Sequence, residues 1–163
     1  MIVFCHGLES VPHGRKYHAL VQGGLRVVAP DCRGKGLRER VDIIASAIAE
    51  HRPRVLVGSS FGGIAGLLAA LVAARDGIEL HALLLCAPAL QLPDPPDVGV
   101  TRRCPAPTTI IHGTRDDVIP IDVSRAFARD HGARLIEVDD EHALPGSLDL
   151  IVATTHALCA PAG

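Results

Sequence analysis

Aromatic side chains are the scarcest feature of this sequence: its 163 residues include no Trp, one Tyr and three Phe. So few aromatic residues argue against a surface of stacked rings that binds single-stranded nucleic acid. The 18 acidic and 16 basic residues give a net charge of −2, and the basic ones form no continuous stripe. We therefore expect no nucleic acid partner. Hydrophobic residues still make up 48% of the chain, so its core has to be aliphatic.

Cysteine pairs and long apolar segments are also lacking. The five cysteines are scattered without a C-x-x-C pair, which argues against a disulfide framework or a zinc site. Cys5 and Cys86 lie within apolar runs and are predicted to fill the core. The longest apolar run, residues 64–74, is too short to span a bilayer, and no signal peptide is visible. These features predict a soluble, cytoplasmic protein with no membrane span.

Short aliphatic runs alternate with longer segments of helical periodicity. The runs are almost continuously apolar, which is typical of parallel strands buried on both faces. Helices are predicted over residues 39–50, 62–75, 121–131 and 147–158, with Ser147 able to cap the last one. The pattern predicts one α/β domain over residues 1–163, a three-layer sandwich whose mostly parallel six-stranded sheet has helices on both faces. The predicted strands are Ile2–Cys5, Arg26–Ala29, Arg54–Val57, Ala82–Cys86, Thr108–Ile111 and Arg134–Val138.

Ligands of parallel sheets bind beyond the carboxyl ends of the strands. One turn at that edge of the predicted sheet has a sequence pattern that indicates a chemical role. The third strand is followed by Gly58-Ser59-Ser60-Phe61-Gly62, which fits G-x-S-x-G between a buried strand and an Ala-rich helix. This turn strains and exposes its central serine and requires very small flanking residues. The spacing selects Ser60 rather than Ser59 as a candidate nucleophile. The alternative is a glycine-rich turn capped by either serine.

A serine hydroxyl is a poor nucleophile at neutral pH, so Ser60 needs a base and an acid that orients it. Among nine histidines, His142 fits best, because it lies in a loop after the last strand, downstream of serine and acid. His6 and His112 each precede a glycine, where an imidazole more often holds a loop. The acid is expected after the fifth strand. Asp116 and Asp117 are adjacent there, and composition leaves the choice between them open.

Negative charge that develops beside Ser60 would need two preorganised donors, usually backbone N–H groups. Phe61 follows the candidate nucleophile directly and is expected to supply one of them. Leu8, in the loop after the first strand, is expected to supply the other.

These segments resemble the α/β-hydrolase superfamily and, more narrowly, the small lidless bacterial esterases of the YqiA type. The resemblance places the acid on Asp116, through the pattern H-G-x-x-D-x-x-V/I-P. It implies a catalytic triad of Ser60, Asp116 and His142, oxyanion donors at Leu8 and Phe61, and no metal or organic cofactor. It is carried, in the family's order, by His6-Gly7-Leu8-Glu9-Ser10, residues 58–63, residues 112–120 and Glu141-His142.

The resemblance implies a serine esterase or thioesterase that cleaves small acyl substrates through an acyl-enzyme. An acyltransferase or perhydrolase would use the same triad, and a non-catalytic binding protein could keep the same fold. A flavodoxin-like nucleotide-binding protein is disfavoured, because His6-Gly7-Leu8-Glu9 is not a phosphate-cradling loop. Residues 87–107, with six prolines, are predicted to form an irregular excursion where larger family members carry a helical cap. We therefore expect an open site.

Overall fold

The aliphatic runs of the chain form one central sheet in a computed structural model that describes residues 1–160. Within that range, six strands lie in the order β2-β1-β3-β4-β5-β6, and every neighbouring pair is parallel. The predicted parallel sheet is confirmed, with boundaries that differ by one or two residues. The strands are β1 (Ile2–Cys5), β2 (Val27–Val28), β3 (Val55–Ser59), β4 (Ala82–Cys86), β5 (Thr108–Gly113) and β6 (Arg134–Val138).

Helices cover both faces of the sheet and complete the predicted three layers. Alternate side chains of β1 show the division: Val3 packs in the cluster that includes residues of α2, α3 and α4, and Phe4 packs in the cluster with α1 and α5. The strands β1 and β4 are buried along their whole length, whereas β2 is half-buried at the edge. The helices are α1 (Arg15–Gln22), α2 (Leu37–His51), α3 (Phe61–Arg75), α4 (Ile121–His131) and α5 (Leu148–Cys159).

Two local features differ from the expectation. Helix α1 was not predicted, because it spans only two turns, is preceded by Gly14 without a side-chain cap, and buries a single residue, Leu20. The side chain of Ser147 makes no capping bond to α5, and its hydroxyl donates instead to the carboxylate of Asp140. Cys5 and Cys86 are buried, as predicted.

The segment between β4 and β5 is irregular, as its prolines predict. No helix or strand forms in residues 87–107, and the Arg102 guanidinium holds the segment together. It donates hydrogen bonds to the carbonyl oxygens of Leu90 and Leu92 and pairs with Asp94. The helices of residues 1–160 do not combine the length and the apolar character that a membrane span requires.

Candidate active site

Ser60 occupies a strained turn between β3 and α3. Its φ of 54° and ψ of −118° lie in a region that residues other than glycine rarely adopt. The turn is fixed because the Ser60 N–H donates to the Cys86 carbonyl at 2.9 Å. Close packing explains the following glycine: a Cβ on Gly62 would lie 2.2 Å from the Cys5 carbonyl oxygen. Helix α3 can therefore begin against the end of β1 only with glycine at position 62.

A continuous chain of hydrogen bonds joins Ser60, His142 and Asp116. The distance from Ser60 Oγ to His142 Nε2 is 2.9 Å, and that from His142 Nδ1 to Asp116 Oδ2 is 2.8 Å. Because a carboxylate only accepts, Nδ1 carries the proton and Nε2 accepts from the Ser60 hydroxyl. The structure thus brings together the serine, base and acid that the sequence suggested, in the relative orientation that proton transfer from Ser60 requires.

The Asp116 carboxylate is fully buried and surrounded by donors. Its Oδ1 accepts from the N–H groups of Val118 at 2.9 Å and Ile119 at 2.8 Å. Burial by itself would raise the pKa of Asp116, but the hydrogen bonds from Ile119, the His142 ring and Val118 outweigh it, so the pKa lies below its ordinary value. Asp117 is exposed and makes no hydrogen bond within residues 1–160. Geometry therefore separates the two adjacent acids.

A second imidazole contacts the same carboxylate. His112 is completely buried, and its Nε2 lies 3.0 Å from Asp116 Oδ2 and 3.0 Å from the Ile119 carbonyl oxygen. Both are acceptors, so Nε2 carries the proton and Nδ1 accepts from the Ser124 hydroxyl at 2.7 Å. The sequence interpretation of His112 as a loop-holding residue missed this contact with the acid. The four-residue spacing between His112 and Asp116 is the signal that could have found it.

The loop that carries His142 is fixed by a second buried carboxylate, Asp140. Its Oδ1 accepts from the Glu141 N–H at 2.9 Å, and its Oδ2 accepts from the Gly146 N–H at 3.0 Å and the Ser147 hydroxyl at 2.7 Å. Burial raises the pKa of Asp140, and these hydrogen bonds, led by that of Ser147, bring it below its ordinary value. The sequence analysis did not predict this anchoring role of Asp140.

Two further contacts position the same loop. A Cβ on Gly113, at the end of β5, would lie 2.3 Å from the Asp140 carbonyl oxygen, so the loop packs directly on the strand. From α1, the Lys16 ammonium donates to the Ala143 carbonyl at 2.6 Å, one residue beyond His142. Because α1 was not predicted, neither was this contact.

The predicted oxyanion donors lie on the other side of Ser60. A Cβ on Gly7 would lie 3.6 Å from Ser60 Cβ, so the loop after β1 adjoins the serine. Within the described chain, the Leu8 N–H donates to no backbone oxygen. Phe61 is the first residue of α3, where N–H groups have no intrahelical acceptor. Neither N–H group is therefore committed to a backbone acceptor within residues 1–160.

Ser60 and His142 open onto a cleft of about 640 Å³, a typical volume for a small-molecule site. Its walls are mostly apolar, and its charged lining residues are Glu9, Arg15 and Lys16. The His142 side chain remains 22% exposed, so solvent can reach the imidazole. The apolar wall includes Leu8, Val11, Phe61, Leu92, Val118 and Ile119.

Solved structures show what this chain is similar to. A protein of the α/β superfamily from Xanthomonas campestris pv. campestris is 25% identical and has a TM-score of 0.79, over 96% of this chain and 95% of that one. Est1E from Butyrivibrio proteoclasticus is 20% identical, with a TM-score of 0.76 over 96% of this chain and 85% of that one. A monoacylglycerol lipase from Paleococcus ferrophilus is 17% identical, with a TM-score of 0.72 over 96% and 93%. The last two likenesses show the fold alone.

The family is shown by the sequence itself. No curated protein matches the chain. Residues 2–130, however, match the Alpha/beta hydrolase family. That range includes Ser60 and Asp116, whereas His142 lies beyond it and is placed by the structure alone. With this match and the fold of its structural neighbours, the chain belongs to the α/β hydrolase family.

Proposed function

We propose that this protein is a serine esterase or thioesterase that hydrolyses small acyl substrates through an acyl-enzyme. The observation that carries the proposal is the hydrogen-bond chain from Ser60 Oγ through His142 to the buried Asp116. A serine hydroxyl becomes a strong nucleophile only when an oriented base removes its proton, and this chain supplies both the base and its orientation.

In the first half of the reaction, Ser60 Oγ attacks the acyl carbon while its proton moves to His142 Nε2. The carbonyl oxygen becomes an oxyanion that the N–H groups of Leu8 and Phe61 stabilise. Asp116 stabilises the imidazolium through the bond to Nδ1. His142 then donates its proton to the leaving oxygen or sulfur, the bond from the acyl carbon to that atom breaks, and the acyl-enzyme remains.

In the second half, water replaces the leaving group. His142 removes a proton from the water, whose oxygen attacks the acyl carbon, and the same donors stabilise the new oxyanion. The proton then passes to Ser60 Oγ, which leaves as the hydroxyl, and the acid product is released. The His142 side chain is 22% exposed, which supports access of water for this step.

The cleft supports a small acyl substrate. Its volume of about 640 Å³ and its apolar wall suit an acyl chain or a small aromatic acid. The Pro-rich residues 87–107 contribute Ala89, Gln91 and Leu92 to the wall but no helix that closes over Ser60. No metal or organic cofactor takes part in this mechanism.

The proposal is tested by covalent labelling with a fluorophosphonate and by hydrolysis of chromogenic esters and thioesters of increasing acyl length. Wild-type protein is expected to be labelled on Ser60 and to show turnover, and Ser60→Ala is expected to abolish both. Ser59→Ala is the matched control, because the neighbouring hydroxyl has no bond to His142, and it is expected to retain the label.

Labelling that persists in Ser60→Ala would show that another residue reacts and would refute the assignment of the nucleophile. Turnover that is absent or independent of Ser60 across the ester and thioester panels, in a folded wild-type protein, would favour a binding protein with this fold.

A further inference from the structure

Arg40 is a completely buried cation beside the candidate active site. It lies on α2, is 0% exposed, and all its hydrogen bonds go to backbone carbonyl oxygens. Nε donates to Lys35 at 3.1 Å, and Nη1 donates to His6 at 2.9 Å and to Gly7 at 3.4 Å. Its Nη2 is buried without a partner in the described chain. A charge that is buried without a carboxylate partner lowers the stability of the fold. We therefore expect Arg40 to be buried for a reason other than stability.

The carbonyl of Gly7 belongs to the same peptide group as the N–H of Leu8. Besides Arg40, His6 Nδ1 lies 2.8 Å from this oxygen and donates to it, and the Ser10 hydroxyl donates to it at 3.3 Å. Three donors therefore hold the oxygen on the inner side of the loop. Because a peptide group is planar and trans, this turns the Leu8 N–H to the opposite side.

The hydrogen bonds of the His6 ring require its neutral form. Its Nε2 accepts from the Cys32 N–H at 3.0 Å, so the proton resides on Nδ1, which faces the Gly7 oxygen. Burial lowers the pKa of His6 from its ordinary value, which keeps the ring in this state. At neutral pH the ring therefore keeps Nδ1 as a donor to the Gly7 oxygen.

The guanidinium also reaches the second donor residue. Its central carbon lies 4.9 Å from the centre of the Phe61 ring, within the range of a cation–π contact. Arg40 thus touches both segments that provide the proposed oxyanion donors: the peptide that bears the Leu8 N–H and the side chain of Phe61.

We propose that Arg40 is a positioning residue that orients and polarises the oxyanion donors of this enzyme. A hydrogen bond from a cation draws electron density towards the Gly7 oxygen and makes the N–H of the same peptide a stronger donor. The positive charge in a buried setting also favours negative charge on the substrate oxygen, which exists only in the transition state. This inference rests on the proposed function, because it requires an oxyanion to form beside Ser60.

The test compares Arg40→Met with wild type on a chromogenic ester. Methionine keeps much of the length of the side chain but removes its charge and its donors. We expect kcat to fall about 10- to 100-fold, less than the loss of about 100- to 1,000-fold on removal of a whole oxyanion donor. KM should change little, because the ground-state ester carries no oxyanion. The inhibition constant of a trifluoromethyl ketone, which forms an oxyanion with Ser60, should rise in parallel.

Ile44→Val is the matched control, because Ile44 lies one turn along α2 and is also buried. This variant should lower the melting temperature and leave kcat and inhibitor affinity unchanged. Arg40→Lys keeps the charge without the planar fork and should fall between wild type and Arg40→Met; it takes the place of Arg40→Met if that variant does not fold.

Arg40 variants with a kcat and an inhibitor affinity within threefold of wild type would overturn the inference, as would a change confined to KM. The proposed function fails separately: wild-type protein would then lack Ser60-dependent labelling and turnover. An active, Ser60-dependent wild type beside fully active Arg40 variants would refute the positioning role alone.

Discussion

The two sides of the Ser60 cleft are held by buried charges of opposite sign. On the oxyanion side, the Arg40 cation donates to backbone carbonyl oxygens. On the acid–base side, the Asp116 and Asp140 carboxylates accept from N–H groups and side-chain donors. In the proposed mechanism, negative charge develops on the substrate oxygen and positive charge on His142. Each buried charge thus lies on the side where the opposite charge is expected to form.

The two sides also differ in how well their charges are satisfied. Both oxygens of Asp116 and both of Asp140 accept at least one hydrogen bond. The buried Nη2 of Arg40 has no partner in the part of the chain that the structure describes. A buried ion whose hydrogen bonds are all made costs the fold less than one that keeps an unpaired donor. We therefore expect the two carboxylates to contribute more to the stability of the fold than Arg40 does.

Asp116→Asn should break the acid–base side most severely. The amide keeps an oxygen for the Val118 and Ile119 N–H groups, but its NH₂ group would face His142 Nδ1. The ring then favours the tautomer with its proton on Nε2, which cannot accept from Ser60. We expect kcat to fall by about 10⁴-fold, the size of effect known for this substitution in a serine protease triad.

Hydrolysis of a chromogenic ester measures this loss, and circular dichroism verifies that the variant is folded. Asp117→Asn is the matched control, since the neighbouring carboxylate is exposed and should tolerate the change. Similar kcat values for the two variants would contradict the assignment of Asp116 as the acid.

His112→Leu should have a smaller effect, because His112 acts on the base only through Asp116. Leucine removes the imidazole nitrogen that lies 3.0 Å from Asp116 Oδ2 and leaves the His142 ring as the hydrogen-bond donor to that oxygen, so the carboxylate is less firmly held. We expect kcat to fall about tenfold with little change in KM. His112→Gln can place an amide N–H near the same point and should restore part of the rate. If kcat falls in both variants only in proportion to their melting temperatures, the role of His112 is purely structural.

The sequence predicted the sheet and the turn at Ser60 because their signals are local. Continuous apolar runs indicated the strands, and the glycine spacing selected Ser60. The choice between Asp116 and Asp117 needed the family resemblance, because adjacent residues of the same type differ only in tertiary contacts. The burial of Arg40 could not be foreseen, because a charged residue on a helix ordinarily faces solvent. Its partners at His6 and Gly7 lie more than 30 residues away along the chain.

Asp140→Asn should separate stability from catalysis on the acid–base side. Asp140 holds the ends of the His142 loop but does not contact the ring, so kcat should fall less than about tenfold. The variant lacks the charged oxygen that accepts hydrogen bonds from the Gly146 N–H and the Ser147 hydroxyl. We expect this loss to lower the free energy of unfolding by about 2 kcal/mol at neutral pH. Urea unfolding at about pH 7, compared with wild type, measures this difference.

The difference should also depend on pH in a defined direction. The folded-state pKa of Asp140 lies below its ordinary value of about 3.9, so the carboxylate stabilises the fold above about pH 4, and this contribution is lost as pH falls through the folded-state pKa. The stability gap between wild type and Asp140→Asn should therefore narrow between about pH 5 and pH 2. A gap that stays constant over that range would mean that Asp140 acts through shape rather than charge, and that buried charge supports this side of the cleft only at Asp116.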